Sequence, residues 1–355
     1  MSVSRRKFLN RTLPAASLLA IAQASCRHSV EQVSMNTNPS DSPFESAYLK
    51  AEREGRLADL EGRLWEILQS CRLCPRQCGV NRIKGEKGFC SSTARLKIAS
   101  FSPHFGEERP LVGTGGSGTI FFSNCNLLCC FCQNWQINHR GDGDYVSHDD
   151  LAGMMLSLQR RGCHNINFVT PTHVVPHIIK ALRLAIPKGL TVPLVYNNGG
   201  YDSVEVIRML DGIVDIYLPD FKYQDETHAI KYSSGALDYP AIAAAAIKEM
   251  HRQVGELQVD SRGVARRGLI IRHLVMPGNI AGTDRFVQWV AKELSSTTYV
   301  NLMAQYHPEH KAFDYPEISR RITAQEWDQA HSWAEAAGLA YKRRPPGSAG
   351  EAARV

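Results

Sequence analysis

Short apolar runs alternate with amphipathic stretches from residue 117 onward, and this alternation limits the fold more than any other feature of the sequence. Each run is nearly continuous in apolar residues, as strands buried on both faces of a parallel sheet require. Six strands are predicted, at 117–124, 164–170, 191–197, 214–220, 268–275 and 298–304. Helices are predicted at 148–161, 173–187, 201–211, 282–295 and 324–337. The pattern indicates an α/β fold, an open (β/α)6 partial TIM barrel.

Three cysteines follow the first of these strands with the spacing C-x3-C-x2-C. Cys125, Cys129 and Cys132 can hold three irons of one [4Fe–4S] cluster and leave the fourth iron open. Structural zinc is the alternative, but closed zinc sites use four ligands, and no histidine stands at ligand spacing from these thiols. Cys130 is an unsuitable fourth ligand because adjacent side chains point apart on an extended chain. The spacing therefore favours a catalytic cluster held by the three cysteines.

A second set of cysteines, with the spacing C-x2-C-x3-C-x11-C, precedes the predicted barrel. It consists of Cys71, Cys74, Cys78 and Cys90. Glycine and proline residues between them supply the turns that four thiols need in order to converge. An amphipathic helix around residues 57–68 leads into this segment. We expect a second metal here, and both structural zinc and an auxiliary iron–sulfur cluster suit four thiolates.

The composition supports metal binding and gives little support to nucleic-acid binding. Eight of the ten cysteines, Cys130 included, fall in the two short stretches that contain these sets, and ten are too few for a disulfide scaffold in a chain of this length. Of the 41 basic residues four precede residue 26, which leaves 37 basic against 35 acidic residues, a net charge of +2. So small a net charge gives nucleic-acid binding little electrostatic support.

Residues 1–25 are expected to form a twin-arginine export signal. Arg5 and Arg6 precede the weakly hydrophobic stretch 13–22, which is too short to span a bilayer. Such a signal exports a folded protein, as one that acquires an iron–sulfur cluster in the cytoplasm requires. We expect a periplasmic or otherwise exported protein, with signal cleavage or a lipid anchor at Cys26, and a cytoplasmic location as the alternative. No transmembrane span is expected in the mature chain.

The rest of the chain divides by composition and pattern. The predicted segments are a linker at 26–45, an N-terminal helix with the four-cysteine segment at 46–110, the barrel at 111–340 and a disordered basic tail at 341–355. A hairpin inserted in the barrel is predicted at 255–267.

Polar side chains follow the carboxyl ends of the predicted strands, where parallel barrels place their chemistry. Besides the cysteines they are Thr170, Thr172, His173, Asn197, Asn198, Asp220, Lys222, Arg272, His273, Gln305, Tyr306 and His307. We expect these residues to converge on the cluster, although a helix cap or a loop position is the alternative for each one.

The spacing C-x3-C-x-aromatic-C, with Phe131 in the aromatic position, resembles the signature of the radical S-adenosylmethionine (radical SAM) superfamily. Four stretches resemble a branch related to pyruvate formate-lyase activating enzymes: CPRQCGVNRIKGEKGFC, HFGEERPLVG, GSGTIFFSNCNL and FCQNWQIN. The resemblance covers about residues 70–320. It implies a barrel of the radical SAM type, preceded by a small cysteine-rich metal-binding segment, with a [4Fe–4S] cluster and S-adenosyl-L-methionine (SAM) as cofactors.

The resemblance also implies, by position, which residues bind SAM. They are Phe131, Thr170, Asn197, Asn198, Asp220, Lys222 and Arg272. Phe131 is implied beside the adenine, Asp220 and Lys222 as an Asp-x-Lys pair, and Arg272 near the carboxylate. The alternative for Asp220 and Lys222 is a buried ion pair that only fixes the end of the strand.

Two departures from the pattern concern the amine of SAM. The stretch 170–173 replaces the Gly-Gly-Glu that usually contacts this amine, and Tyr196 stands where activating enzymes carry an aspartate. The altered stretch leaves open a non-catalytic iron–sulfur electron carrier or redox sensor, exported and on the same fold.

The implied activity is that of a radical SAM enzyme. An electron from the cluster cleaves the sulfonium of SAM, and the resulting 5′-deoxyadenosyl radical takes a hydrogen atom from the substrate. Activation of a glycyl-radical enzyme is one version of this oxidoreductase chemistry. The expected partners are an electron donor and an unknown protein or small-molecule substrate.

Overall fold

A computed structural model describes residues 44–339 and has a largely parallel sheet at its centre. The predicted export signal, all but the last two residues of the predicted linker, and the basic tail lie outside the described residues. The expectations for those segments therefore stay predictions.

The sheet contains the six predicted strands in their predicted order. With three further strands, the strands among residues 44–339 are β1 (Lys97–His104), β2 (Ser117–Phe122), β3 (Asp144–Tyr145), β4 (Ile166–Val169), β5 (Leu194–Asn198), β6 (Ile216–Pro219), β7 (Gln258–Val259), β8 (Ala265–Leu274) and β9 (Tyr299–Met303). β2, β4, β5, β6, β8 and β9 pair in that order and are parallel. β1 adds antiparallel to β2, β3 adds to β1, and β7 forms the predicted hairpin with β8. The open α/β barrel is thus confirmed.

The chain also forms α-helices, most of which cover the outside of this sheet. They are α1 (Ala47–Arg53), α2 (Arg56–Ile67), α3 (Arg109–Val112), α4 (Trp135–Asn138), α5 (His148–Arg160), α6 (Val175–Ala185), α7 (Val204–Met209), α8 (Glu226–Tyr232), α9 (Tyr239–Val254), α10 (Thr283–Glu293) and α11 (Ala324–Ala336). Capping boxes that begin at Ser147 and Thr323 start α5 and α11. The sequence analysis missed α8 and α9, although Pro240 in the first turn of α9 and the alanines that follow it favour a helix. Within residues 44–339, none of the helices is both long and apolar enough to cross a membrane.

Alternation along the strands divides their side chains between two faces. Ile216 and Leu218 of β6 lie in a small core inside the barrel, whereas Tyr217 between them lies in the large core beneath the helices. The same alternation puts Asp220, two residues beyond Leu218, on the inner face. Polar residues that continue the inner face past the strand ends therefore meet above the small core.

The segment between β1 and β2 packs into the barrel interior. Leu111 of α3 is fully buried in the small core. Glu108, also buried, accepts a 2.8 Å hydrogen bond from Asn301 Nδ2 of β9. The stretch HFGEERPLVG therefore fills the space below the carboxyl ends of the strands.

Candidate functional site

A cavity of about 240 Å³ opens at the carboxyl ends of the parallel strands. All of the proposed cluster and SAM-binding residues line it: Cys125, Cys129, Cys132, Phe131, Thr170, Asn197, Asn198, Asp220, Lys222 and Arg272. These residues are far apart in the sequence, and they meet only because the strands curve around one axis. Gln305 and Tyr306 also line this cavity, as expected.

The loop that follows β2 and carries the three cysteines contains two residues with an unusual, left-handed backbone conformation. Asn124 and Leu128 have φ of 76° and 50°, and Thr170 on the neighbouring loop has φ of 60°. A β-branched residue such as Thr170 pays a steric cost in this left-handed region, and such strain is concentrated at functional sites. The surrounding contacts must therefore fix both loops.

Each of the three sulfur atoms accepts a hydrogen bond. Cys125 accepts from the backbone N–H of Leu127 at 3.4 Å, Cys129 from Ser233 Oγ at 3.0 Å, and Cys132 from Asn138 Nδ2 at 3.2 Å. The donors would stabilise thiolates, which only accept hydrogen bonds.

The thiols of the loop are poorly suited to ionise without a cation. Burial, together with the neighbouring Cys129, raises the pKa of Cys125 to about 11 and that of Cys132 to about 12. Among residues 44–339, no three His, Cys, Asp or Glu side chains are placed to hold a single metal ion. A [4Fe–4S] cluster binds each thiolate to a different iron, so its ligands do not converge on one atom. The three thiols, with their donors and a shared cavity, fit such a cluster.

A network of charges forms the cavity wall opposite the cysteine loop. Asp220 accepts from Lys222 Nζ at 2.6 Å and from Arg272 Nε at 2.7 Å. Arg272 also donates to Asn197 Oδ1 at 2.6 Å and lies 3.9 Å from Glu107 Oε2. Burial opposes ionisation of Asp220, but the charges of Arg272 and Lys222 outweigh it and lower the pKa of the carboxyl. The predicted pair is therefore part of a larger network of ionised side chains.

The remaining predicted SAM-binding residues have different surroundings. Phe131 is buried and packs edge to face against Tyr306, with ring centroids 5.9 Å apart. Asn198 uses its Oδ1 to accept the backbone N–H of Gly200 at 2.8 Å, so part of its amide holds the turn after β5. Both residues nevertheless present atoms to the cavity.

Four of the polar residues expected at the strand ends do not line the cavity. His273 is fully buried on the outer face of β8 and stacks on Phe286, with ring centroids 4.1 Å apart. His307 lies on a loop with 31% of its side chain exposed. Thr172 contacts Asp202, and His173 lines the cavity of the four cysteines that precede the barrel. Adjacent strand residues face opposite sides, which explains why Arg272 enters the cavity and His273 cannot.

The two departures from the activating-enzyme pattern meet at one buried carboxylate. Thr172 Oγ1 and Tyr196 OH lie 2.8 Å and 3.1 Å from Asp202 Oδ1. Burial raises the pKa of Asp202 to about 6. The altered residues thus support each other behind the cavity wall.

The four cysteines before the barrel line a second, smaller cavity. Cys71, Cys74, Cys78 and Cys90 share it with Arg82 and His173. Burial raises the pKa of Cys74 to about 12, and the nearby Cys90 and Cys71 contribute. The sequence predicted that these thiols converge, and they do share one cavity, although their sulfur atoms are not spaced for a single ion as positioned.

Two arginines join this segment to the barrel. Arg76 stacks on Phe89 at 3.7 Å and donates to the carbonyl oxygens of Asn126, Ser233 and Gly235. Arg82 is 1% exposed, and within residues 44–339 its guanidinium donates hydrogen bonds to the neutral carbonyl groups of Thr93 and His173. His173 in turn bonds the carbonyl of Ser123 through Nε2 at 2.8 Å. The four-cysteine segment therefore contacts both loops that border the larger cavity.

Sequence reasoning missed several residues of the site. Glu107 lies beside Arg272, and Ser233 contacts Cys129. Each pair is far apart in the sequence, and neither Glu107 nor Ser233 is part of a motif with a recognisable residue spacing. Asn138 lies in the stretch FCQNWQIN, which was noted only for its resemblance. Its position six residues after Cys132 was the available signal.

The fold and site define an open parallel (β/α)6 barrel with three thiols, one buried and two half-buried, beside a charged cavity wall. No family model matches the chain. It is 36% identical over 282 residues to the uncharacterized protein MJ0674 of Methanocaldococcus jannaschii, a match that covers 76% of this chain and 75% of that protein. The chain therefore belongs to the same family as MJ0674.

Two solved structures show a weaker likeness. Methylornithine synthase (PylB) has a TM-score of 0.41 and 11% identity over 61% of each chain. TYW1 with a lysine-pyruvate adduct bound has a TM-score of 0.39 and 10% identity over 61% of this chain and 73% of that chain. Likenesses this weak support no argument about the present chain.

Proposed function

We propose that the protein is a radical SAM enzyme that holds a [4Fe–4S] cluster at Cys125, Cys129 and Cys132. The observation that carries the proposal is that three thiols, that of Cys129 buried and the other two half-buried, each have a hydrogen-bond donor and share one cavity with the polar ends of the parallel strands. With three protein ligands, one iron of the cluster would remain free to bind the amine and carboxylate of SAM. When bound, the cluster would supply an electron that cleaves SAM to a 5′-deoxyadenosyl radical and methionine.

The cavity wall supplies the groups that would hold SAM. Asp220, Lys222 and Arg272 are 16–20% exposed, and they are exposed toward the cavity. A zwitterionic amino acid fits a wall that carries both signs of charge, because each charge offsets the desolvation of its partner. The apolar residue Phe131 lines the same space. These residues would bind and orient the cofactor and exclude water from it.

We propose that a second metal, zinc or an auxiliary iron–sulfur cluster, binds at Cys71, Cys74, Cys78 and Cys90. The buried guanidinium of Arg82 supports this site, because its hydrogen bonds within residues 44–339 go to neutral carbonyl groups, and a charge with such partners is costly away from water. Four thiolates around a divalent ion or a cluster carry net negative charge and would balance Arg82. Measured iron, zinc and sulfide distinguish the two occupants.

The substrate and partners follow as further proposals. Hydrogen abstraction from a protein or a small molecule is the proposed reaction, with activation of a glycyl-radical enzyme as one version, and a separate electron donor is required.

We also propose export by the twin-arginine route, on the basis of Arg5 and Arg6. Export would separate the protein from cytoplasmic glycyl-radical enzymes, so an exported substrate is favoured.

Anaerobic reconstitution tests the proposed activity. Protein loaded with iron and sulfide is mixed with SAM and dithionite, and chromatography measures 5′-deoxyadenosine. We expect release that depends on dithionite and is lost when Cys129 is replaced by alanine. A stable, reducible cluster that never cleaves SAM would instead favour an electron carrier or redox sensor. Failure of the wild-type chain to bind iron would contradict both.

A further inference from the structure

Ser233, which directly follows α8, aims its hydroxyl at one of the proposed ligand sulfurs. Its Oγ lies 3.0 Å from Cys129 Sγ, although the two residues are 104 positions apart in the chain. Tyr223 OH lies 2.9 Å from the same Oγ, and both side chains are fully buried. A thiolate only accepts, so Ser233 donates to the sulfur and accepts from Tyr223. The two hydroxyl groups form a relay directed at Cys129.

The residues on either side of Ser233 form hydrogen bonds to the cysteine loop. The carbonyl of Tyr232 accepts the N–H of Cys130 at 2.8 Å, and Ser234 Oγ donates to the carbonyl of Leu128 at 2.8 Å. Arg76 donates to the carbonyl of Ser233 itself at 3.1 Å. These contacts on both sides fix the hydroxyl against the sulfur before any cluster is bound, which is the condition for a strong electrostatic effect.

The three ligand sulfurs have unequal surroundings. Cys125 and Cys132 accept from a backbone amide and a side-chain amide, at 3.4 Å and 3.2 Å. Cys129 has the shortest of these contacts, from a hydroxyl that is itself polarised by a second hydroxyl. Reduction adds a negative charge to a cluster, so donors to its sulfurs stabilise the reduced form more than the oxidised form. The contact from Ser233 therefore favours reduction.

We propose that Ser233 is a positioning residue that raises the reduction potential of the cluster through its hydrogen bond to Cys129. The inference rests on the proposed three-cysteine cluster. It concerns a one-electron reduction by an added reductant, in which no covalent bond of the protein forms or breaks.

The test compares midpoint potentials of reconstituted full-length variants, titrated with dithionite and followed by electron paramagnetic resonance (EPR) of the reduced cluster. We expect Ser233→Ala to lower the ratio of reduced to oxidised cluster about tenfold at the wild-type midpoint, which is about 59 mV for one electron. Ser233→Thr keeps a hydroxyl and should restore most of the shift. Tyr223→Phe should move the midpoint in the same direction by a smaller amount.

Ser234→Ala is the matched control, because it removes the neighbouring hydroxyl, which bonds a carbonyl of the same loop and not a sulfur. Its midpoint should equal that of the wild type. If Ser233→Ala and Tyr223→Phe bind full iron and titrate like the wild type, the inference is wrong and the proposed function survives. If Ser233→Ala does not assemble a cluster, an unshifted Tyr223→Phe overturns the inference. A wild-type chain that binds no cluster overturns both.

Discussion

Lys222 Nζ lies 2.6 Å from Asp220 Oδ2, so the two charged residues that follow β6 form a direct ion pair in the cavity wall. The second oxygen of Asp220 accepts from Arg272 at 2.7 Å. One carboxylate thus sits between two cations at the end of the barrel, in agreement with the ion-pair alternative. The ion pair does not exclude the proposed orientation of SAM, because all three side chains also line the cavity.

Replacement of Asp220 by asparagine separates these two roles. We expect Asp220→Asn to lower the free energy of unfolding by about 3 kcal/mol, because it leaves two half-buried cations without their shared carboxylate. Denaturant unfolding measures this loss. Asp142→Asn, which breaks the exposed pair with Arg140, is the control and should change stability little.

The same variant tests the proposed contact with SAM. If the network orients the cofactor, cleavage of SAM per folded molecule of Asp220→Asn should fall by roughly a hundredfold, the scale of a lost positioning contact. Cleavage is measured at a temperature where the variant remains folded. Normal cleavage in a destabilised protein would show that the network only fixes the strand end.

Cluster ligation by the three cysteines can be tested against their neighbour. Simultaneous replacement of Cys125, Cys129 and Cys132 by alanine should abolish the EPR signal that SAM perturbs. Cys130→Ala should keep it, because Cys130 lies in the same loop but does not line the cavity. Persistence of the signal in the triple variant would show that the wrong cysteines were assigned.

The four-cysteine segment should keep its own metal when the barrel cluster is lost. Metal analysis of the triple variant is expected to find this second occupant, and Cys74→Ser with Cys78→Ser should remove it. The double variant should melt roughly 3 °C or more below wild type, the effect of about 2 kcal/mol in a chain of this size. Cys163→Ser, which lies outside both sets, is the control for metal content. Unchanged metal content and melting temperature in the double variant would contradict the site.

The export signal is testable without the rest of the chain. Residues 1–35 fused to a reporter that folds before transport should carry it to the periplasm, and Arg5→Lys with Arg6→Lys should stop this transport. These residues lie outside the described part of the structure. Transport that is unaffected by the paired change would mean that the segment is not a twin-arginine signal.

His273 should make stability depend on pH in the acidic range. Its Nδ1–H donates to the carbonyl of Phe221, and its Nε2 accepts from Thr283. Burial lowers the pKa of His273 from its ordinary 6.5 to about 4. Between these pH values the unfolded chain binds the extra proton, so the free energy of unfolding falls as the pH falls, by about 3 kcal/mol in total.

Unfolding curves at pH 4.5 and pH 7 measure this contribution. His273→Gln should be less stable than wild type at pH 7 but should lose less stability on acidification. His307→Gln, on an exposed loop, should keep the wild-type dependence. An equal loss in wild type and His273→Gln would assign the acid sensitivity to other groups.

Local patterns were enough to predict the six parallel strands and six of the eleven α-helices among residues 44–339, whereas β1 and β3 were not predicted. The apolar runs around Ile166 and Ile216 are strands because their side chains are buried on both faces, a property that each run carries in itself. The missed α8 and α9 lie between β6 and β8, where the sequence offered a capping Asp225 and an alanine-rich run that were not used. These were failures to apply a local rule.

By itself the sequence determined the order of strands, the cysteine spacing and which polar residues stand at the strand ends, because each depends on residues close together in the chain. Only the tertiary structure decided which of those residues face the cavity. It also revealed that Ser233 reaches Cys129 and that Glu107 lies beside Arg272, contacts between segments more than 100 residues apart. No local period encodes such contacts, since they arise when strands close around one axis and bring distant loops together.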